Sequence, residues 1–162
     1  MKRIFLLSLM VLVVSTIFIS CSGNKNVTAT RNQIKGNWVV SSVTVEGEDA
    51  AKLNITSFDD VALNCFDGSE WSFPNNSYGN YNITKSGCRP GERRIIWSQR
   101  VKEGVTYLNF KHMDDLAKKQ AKAVADGYSL EVTSFTQEHF TAKSAVSFEG
   151  KTIYIVYDFD KK

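Results

Sequence analysis

The sequence predicts an all-β protein, an antiparallel up-and-down barrel of about eight strands with one short helix between the middle strands. Two observations predict this class. Apolar and polar residues alternate along several short segments that turn residues separate, a pattern typical of half-buried strands. These segments follow one another with short connections, and eight such strands can close into a barrel without free edges. A two-sheet sandwich is the alternative, because the number of strands does not distinguish a closed sheet from an open one.

The first strand is predicted where Gly36-Asn37-Trp38 is followed by four valines. β-branched residues at this density favour a strand. With a period of two residues, both faces of the strand are partly apolar. The predicted faces are Val39, Val43 and Val45 on one side, and Trp38 and Val40 on the other. Gly36 allows a close approach of backbone and ring, as where a first strand closes a barrel.

A hairpin is predicted between Cys65 and Cys88. Its turn is the Pro-Asn-Asn-Ser segment at residues 74–77, which combines strong turn formers. The apolar positions are Trp71 and Phe73 in the first arm, and Tyr81 and Ile83 in the second. Later strands are expected to pair on this unit.

A second hairpin and a helix follow. Residues 93–101 and 105–110 alternate on either side of a Lys-Glu-Gly turn. The predicted inner face of the first arm is Ile95, Trp97 and Val101. Between Met113 and Asp126 the apolar residues recur at helical spacing, and Gly127 is a stop signal, so a short amphipathic helix is predicted there.

Three strands complete the chain. Residues 128–132, 140–148 and 153–159 each alternate between apolar and polar side chains. Glu149-Gly150 separates the last two segments, which therefore predict a third hairpin.

The first 20 residues are predicted to be a lipoprotein signal peptide. Lys2 and Arg3 precede an apolar run over residues 4–19, and no charged stop-transfer flank follows, which favours a secretory signal over a spanning helix. The run ends in Phe18-Ile19-Ser20-Cys21, which resembles a bacterial lipobox. That resemblance implies cleavage before Cys21 and lipidation of Cys21, so that acyl chains hold the protein to a membrane. An ordinary signal peptide that is cut elsewhere is the alternative.

The cysteine count agrees with this assignment. The chain has three cysteines, and assigning Cys21 to lipid leaves Cys65 and Cys88 as a pair. A disulfide that closes a loop of this length stabilises a fold by about 3 kcal/mol in the chain-entropy model. Two free buried thiols are the alternative. Neither His112 nor His139 lies at metal-ligand spacing from a cysteine, so no metal and no cofactor is predicted.

Three parts are predicted along the chain: the signal peptide (residues 1–20), a lipidated N-terminus with a flexible tether (21–32) and one barrel domain (33–162). Removal of 20 residues from 162 leaves 142, a length that suits one core. Without Lys2 and Arg3, the remaining chain has 18 basic and 17 acidic side chains, a net charge of +1. Such a balance argues against a nucleic-acid partner that is held by charge.

Several segments carry a family resemblance. Gly36-Asn37-Trp38 looks like the lipocalin Gly-x-Trp signature, and residues 65–81 and 125–161 are similar to the small lipocalin-like lipoproteins of Bacteroidetes-type bacteria. The resemblance implies a lipocalin-like barrel, lipid-anchored at the bacterial outer membrane, that holds a small apolar ligand. No acidic cluster of the kind that directs some of these lipoproteins to the cell surface follows Cys21, which favours a periplasm-facing position.

Four aromatic residues are the candidate ligand-binding residues: Trp38, Trp71, Tyr81 and Trp97. Such side chains give an apolar wall with a polar edge. The alternative is that they are ordinary barrel core. In that case the protein is a non-enzymatic interaction or structural module of the cell envelope, with a side-chain-filled barrel and a protein partner that the sequence does not identify.

No enzymatic activity is predicted. Glu138-His139 has no Gly-x-Ser-x-Gly nucleophile elbow to act with. The paired acids Asp59-Asp60 are neighbours in sequence, which points their side chains apart rather than across one substrate.

Overall fold

The computed structural model of the chain describes residues 33–46, 53, 55–113 and 127–162. The predicted signal peptide, Cys21, the predicted tether and the helix predicted after Met113 lie outside the described residues. Ten strands are present in the described ranges. Their bounds are β1 Gly36–Val45, β2 Thr56–Ser57, β3 Val61–Ala62, β4 Glu70–Phe73, β5 Tyr78–Ile83, β6 Gly91–Lys102, β7 Val105–His112, β8 Tyr128–Phe135, β9 His139–Phe148 and β10 Lys151–Lys161. A 3-10 helix covers Leu63–Phe66.

Eight of the strands close into one antiparallel barrel in the order β1-β10-β9-β8-β7-β6-β5-β4. β1 closes it by pairing with both β10 and β4. The lipocalin-like up-and-down barrel is therefore confirmed, and the sandwich alternative is excluded. In the sequence, β2 and β3 come between β1 and β4, and they form a separate two-stranded sheet. No helix in the described ranges is long and apolar enough to cross a membrane.

The barrel has two different ends. The connections after β4, β6 and β8 lie at one end, together with the start of β1 and the end of β10. We call it the terminal end. The connections after β1, β5, β7 and β9 lie at the opposite end, which we call the plug end because the β2–β3 sheet covers it.

The three predicted hairpins are confirmed. Trp71 pairs with Tyr81 across β4 and β5, Lys102 pairs with Val105 across β6 and β7, and β9 pairs with β10 along nearly their whole length. Val101 is predicted on the inner face of its strand, but it is 50% exposed because it lies next to the turn at the rim of the barrel.

The prediction for the two faces of β1 is wrong, because a β-bulge changes its register. The pairing with β10 shifts between Val40 and Ser42. One extra residue at this point turns the second half of the strand over. Val43 and Val45 then face Tyr157 and Ile155 on the interior side, which Trp38 and Val40 share, whereas Val39 lies on the outer face.

At the terminal end, Trp38 is fully buried. Its Nε1–H donates to the carbonyl oxygen of Ile34 at 2.7 Å, and its ring meets Phe140 edge-on at 4.7 Å. The Lys161 ammonium lies 4.2 Å from the centroid of the indole. The neighbour that comes close to Gly36 is this lysine and not the predicted ring, since a Cβ at Gly36, whose φ is +119°, would lie 2.5 Å from Lys161 Nζ.

Candidate functional site

The plug end is the candidate functional site. It is covered by residues 55–63, which we call the plug: the β2–β3 sheet with one residue on each side. Its turn is closed by a hydrogen bond from the Asp60 N–H to the Ser57 carbonyl oxygen at 3.1 Å. Phe58 and Asp59 have φ angles of +52° and +50°. A bulky residue rarely adopts this left-handed region, so the surrounding contacts hold the turn in place.

Phe58 points from this turn into the barrel and is buried. Five aromatic rings surround it, each from a different element. The distances between centroids are 4.9 Å to Phe110, 5.1 Å to Phe66, 5.2 Å to Tyr128, 5.3 Å to Tyr157 and 6.1 Å to Trp71. We call these five rings the aromatic box. A side chain of the plug therefore fills the interior of the barrel at this end.

Ion pairs attach the plug to the barrel wall through Asp60. The Arg93 guanidinium donates from Nε to Asp60 Oδ2 at 2.7 Å and from Nη2 to Oδ1 at 3.2 Å, a two-pronged contact. Arg89 donates to the same carboxylate, and the Tyr81 hydroxyl donates to Oδ2 at 2.8 Å. The side chain of Asp60 is only 4% exposed and that of Arg93 only 14%, so this pair is shielded from water.

The protonation state of Asp60 follows from these contacts. Burial raises the pKa of its carboxyl, but the hydrogen bonds from Arg93, Tyr81 and Arg89 outweigh burial and hold that pKa below the ordinary value of 3.8. Burial and the hydrogen bond to the Asp60 carboxylate both raise the pKa of Tyr81. At neutral pH, Asp60 is therefore a carboxylate and Tyr81 a neutral donor. The Tyr81 oxygen in turn accepts from His112 Nε2 at 2.8 Å.

Two further tyrosines bind the plug. The Tyr128 hydroxyl donates to Asp59 Oδ2 at 2.8 Å, and the hydroxyls of Ser57 and Tyr157 share a short hydrogen bond. Burial and then the bond to Asp59 raise the pKa of Tyr128 to about 12. Asp59 and Asp60 thus point to different partners, as their adjacency in sequence predicts.

A cleft of about 320 Å³ lies beside the plug. Residues 56–59 of the plug form one wall; the other walls are Tyr128 and Ser129 of β8, Ser144, Ala145 and Val146 of β9, and Ile155 of β10. The pairing of β8 with β9 extends only from Phe135↔Phe140 to Glu131↔Lys143. The cleft lies along the seam beyond that point, and Phe58 is one of its lining residues.

A larger depression, of about 410 Å³, lies on the outer wall at β5 and β6. Tyr78, Asn80, Glu92 and Arg94 line it. These side chains alternate with the buried residues of their strands, so the depression is outside the barrel. We favour the plug end because its cleft alone of the two reaches the aromatic box.

The four predicted ligand-binding residues lie at neighbouring levels of the barrel wall, because Trp38 pairs with Trp71 and Trp97 pairs with Phe110, but their rings turn toward different ends. Trp71 and Tyr81 stack on each other at 4.5 Å near the plug, where Trp71 belongs to the aromatic box and Tyr81 binds Asp60. The ring of Trp38 turns toward the terminal end, where it contacts Phe135 and Phe140. Trp97 packs there against Phe73 at 5.2 Å, and its Nε1–H donates to the Pro74 carbonyl oxygen. All four are buried, and their contact with a ligand stays a prediction.

The predicted disulfide is present. Cys65 and Cys88 are bonded, with their Cα atoms 5.8 Å apart. The bond joins the 3-10 helix, which begins at Leu63, the last residue of the plug, to the connection between β5 and β6. Arg89 is the next residue along that connection, so the disulfide holds both the base of the plug and one of its ion-pair partners.

Among the residues that the structure describes, no group of three or more His, Cys, Asp or Glu side chains is arranged to hold a metal ion. His139 lies at the terminal end, far along the chain from the plug, and its ring bonds Asp160 at 2.7 Å and Thr141 at 3.3 Å.

Comparison with known proteins does not constrain the site further. No protein-family model, no curated protein and no solved structure matches this chain.

Proposed function

We propose that this protein is a lipid-anchored, lipocalin-like lipoprotein of the bacterial envelope, and that it binds a small apolar ligand at the plug end. The observation that supports binding is the cleft between the plug and the β8–β9 seam, because it joins the surface to the aromatic box. Small-molecule sites are usually concave, mostly apolar and supplied with a few fixed polar groups. Here the hydroxyls of Ser57 and Tyr128 and the carboxylate of Asp59 are such groups.

Binding is tested with the mature chain, residues 21–162 carrying Cys21→Ser, which needs no detergent. We expect a neutral phenylnaphthylamine dye to bind with a Kd in the micromolar range. Val146→Trp places an indole in the cleft and should lower the affinity by about tenfold or more. The measurement is a fluorescence titration. Val101→Trp is the matched control, because Val101 is 50% exposed at the opposite end, and it should leave the affinity unchanged.

The anchor is a separate part of the proposal and has its own test. Cys21 follows an apolar run with a basic start, and a lipidated cysteine with two or more acyl chains binds membranes stably. In cells that express the full precursor, we expect the wild-type protein to incorporate labelled palmitate and to sediment with membranes. Cys21→Ser should abolish incorporation of the label. Equal labelling of the two proteins would contradict lipidation at Cys21.

A second candidate is an interaction or structural module, and the filling of the barrel favours it. Phe58 and Phe66 enter the interior from outside the eight strands and are both buried. These two side chains supply interior contacts that a ligand would otherwise make. Failure of the dye to bind, together with recovery of one specific envelope protein after crosslinking in cells, would favour this function over ligand binding.

A further inference from the structure

We infer that the ring of Phe58 occupies the place of a planar apolar ring of the ligand, so that the ligand binds by displacing the plug from the aromatic box. This inference rests on the proposed function and specifies both the ligand class and the way in which the site opens. The contacts of Phe58 carry it, together with the backbone of the plug, its attachments to the barrel and the adjoining cleft.

The aromatic box has the shape of a site for a flat ring. Tyr157 lies nearly parallel to the Phe58 ring, at an interplanar angle of 25°. The other four rings meet it at angles between 61° and 86°, in T-shaped arrangements. One stacked ring and four T-shaped rings suit an aromatic occupant, because its ring has a negative face and a positive edge. An alkyl chain has no such charge distribution.

The backbone of the plug disfavours the position that its side chain takes. Phe58 and Asp59 are consecutive residues other than glycine in the left-handed region. Such a conformation persists only where surrounding contacts hold it. These φ values belong to the turn that the Asp60 N–H to Ser57 carbonyl bond closes, so a rearrangement of the turn that withdraws Phe58 would release the strain and lower the cost of displacement by a ligand.

The attachments of the plug allow it to move while the barrel stays intact. β2 pairs only with β3, in a two-residue ladder outside the barrel sheet. The contacts of the turn with the wall are made by side chains, namely Ser57 with Tyr157, Asp59 with Tyr128, and Asp60 with Arg93, Arg89 and Tyr81. Displacement of the turn therefore breaks these side-chain hydrogen bonds and this one cluster of ion pairs. The backbone hydrogen bonds between the barrel strands stay in place. The cleft provides the path by which a ring enters.

The test compares dye affinity between the Cys21→Ser mature chain and the same chain with Phe58→Ala. A plug that competes with the ligand lowers the apparent affinity, so removal of its ring should raise the affinity by about tenfold or more. Phe58→Leu, which keeps an apolar plug, should give a smaller increase and guards against a folding defect in the alanine variant. Phe140→Ala, which removes another buried ring, one that faces the terminal end, should leave the affinity unchanged. In competition with the dye, naphthalene should bind more tightly than decalin, its non-planar saturated counterpart.

The outcomes separate the inference from the proposed function. If the parent chain binds the dye and neither Phe58 variant binds it more tightly, the ligand occupies the cleft without moving the plug; the inference is then overturned and the proposed function stands. Equal competition by decalin and naphthalene would also overturn the inference. If only the Phe58 variants bind, the plug does not move, and both the inference and the proposed function fail. Absence of binding in every chain has the same consequence.

Discussion

Replacement of Trp38 by alanine is expected to lower the free energy of unfolding by about 3–5 kcal/mol, the range for deletion of a large buried aromatic side chain. The change removes a fully buried indole, its hydrogen bond to Ile34 and its edge-on contact with Phe140. It also leaves the Ile34 carbonyl oxygen without its indole donor and takes away the surface beneath the Lys161 ammonium. Trp38 lies where β1 pairs with both β10 and β4, so filling the cavity would require these ladders to shift.

The measurement is urea unfolding followed by circular dichroism. Tyr78→Ala is the control, since Tyr78 is an aromatic residue of the same sheet that is 57% exposed, and surface substitutions usually change stability by about 0.5 kcal/mol or less. Similar losses in the two variants would show that the terminal end does not depend on the buried indole.

Asp60→Asn is expected to destabilise the protein by about 3–5 kcal/mol, because it leaves the shielded Arg93 guanidinium without its counter-charge. Arg89 contributes less, since its side chain is 69% exposed and exposed ion pairs are weak. Asp67→Asn is the matched control. It breaks the ion pair of Asp67 with Lys85, both of which are exposed, and should cost about 1 kcal/mol or less.

The pH dependence of stability tests whether the loss in Asp60→Asn comes from the missing charge. The pKa of Asp60 in the folded protein lies below 3.8, whereas an unfolded chain gives about 3.9. The ionised carboxylate therefore stabilises the fold fully above the unfolded-state pKa, and this contribution is lost as the pH falls through the folded-state pKa. We expect the stability gap between wild type and Asp60→Asn to be constant from about pH 5 to pH 7 and to narrow below about pH 4. A gap that persists unchanged in acid would mean that packing, and not charge, accounts for it.

The barrel could be predicted because its strands alternate plainly. Each hairpin has a turn of Pro, Asn or Gly residues between two periodic arms, and this local information sets the pairing. The faces of β1 could not be predicted in the same way. Its four valines fit either face, and the shift between Val40 and Ser42 depends on pairing with β10, more than a hundred residues away in the sequence.

Only part of the candidate site could be predicted from the sequence. Trp71 and Tyr81 stand out as aromatic residues in a periodic strand, and they do lie beside the plug. Phe58 lies in a polar segment without a period, so nothing local marks it as a core residue. Asp60 bonds Tyr81 of β5, which is 21 positions away in the sequence, and Arg93 of β6, which is 33 positions away. Only the closed barrel brings these side chains together.

The most direct test is a crystal structure of the mature chain in complex with the phenylnaphthylamine dye. Our account predicts that the dye lies at the plug end, with its fused rings among Phe66, Trp71, Phe110, Tyr128 and Tyr157, and with Phe58 outside the aromatic box. A dye bound on the outer wall beside Tyr78, or at the terminal end beside Trp38, would contradict it.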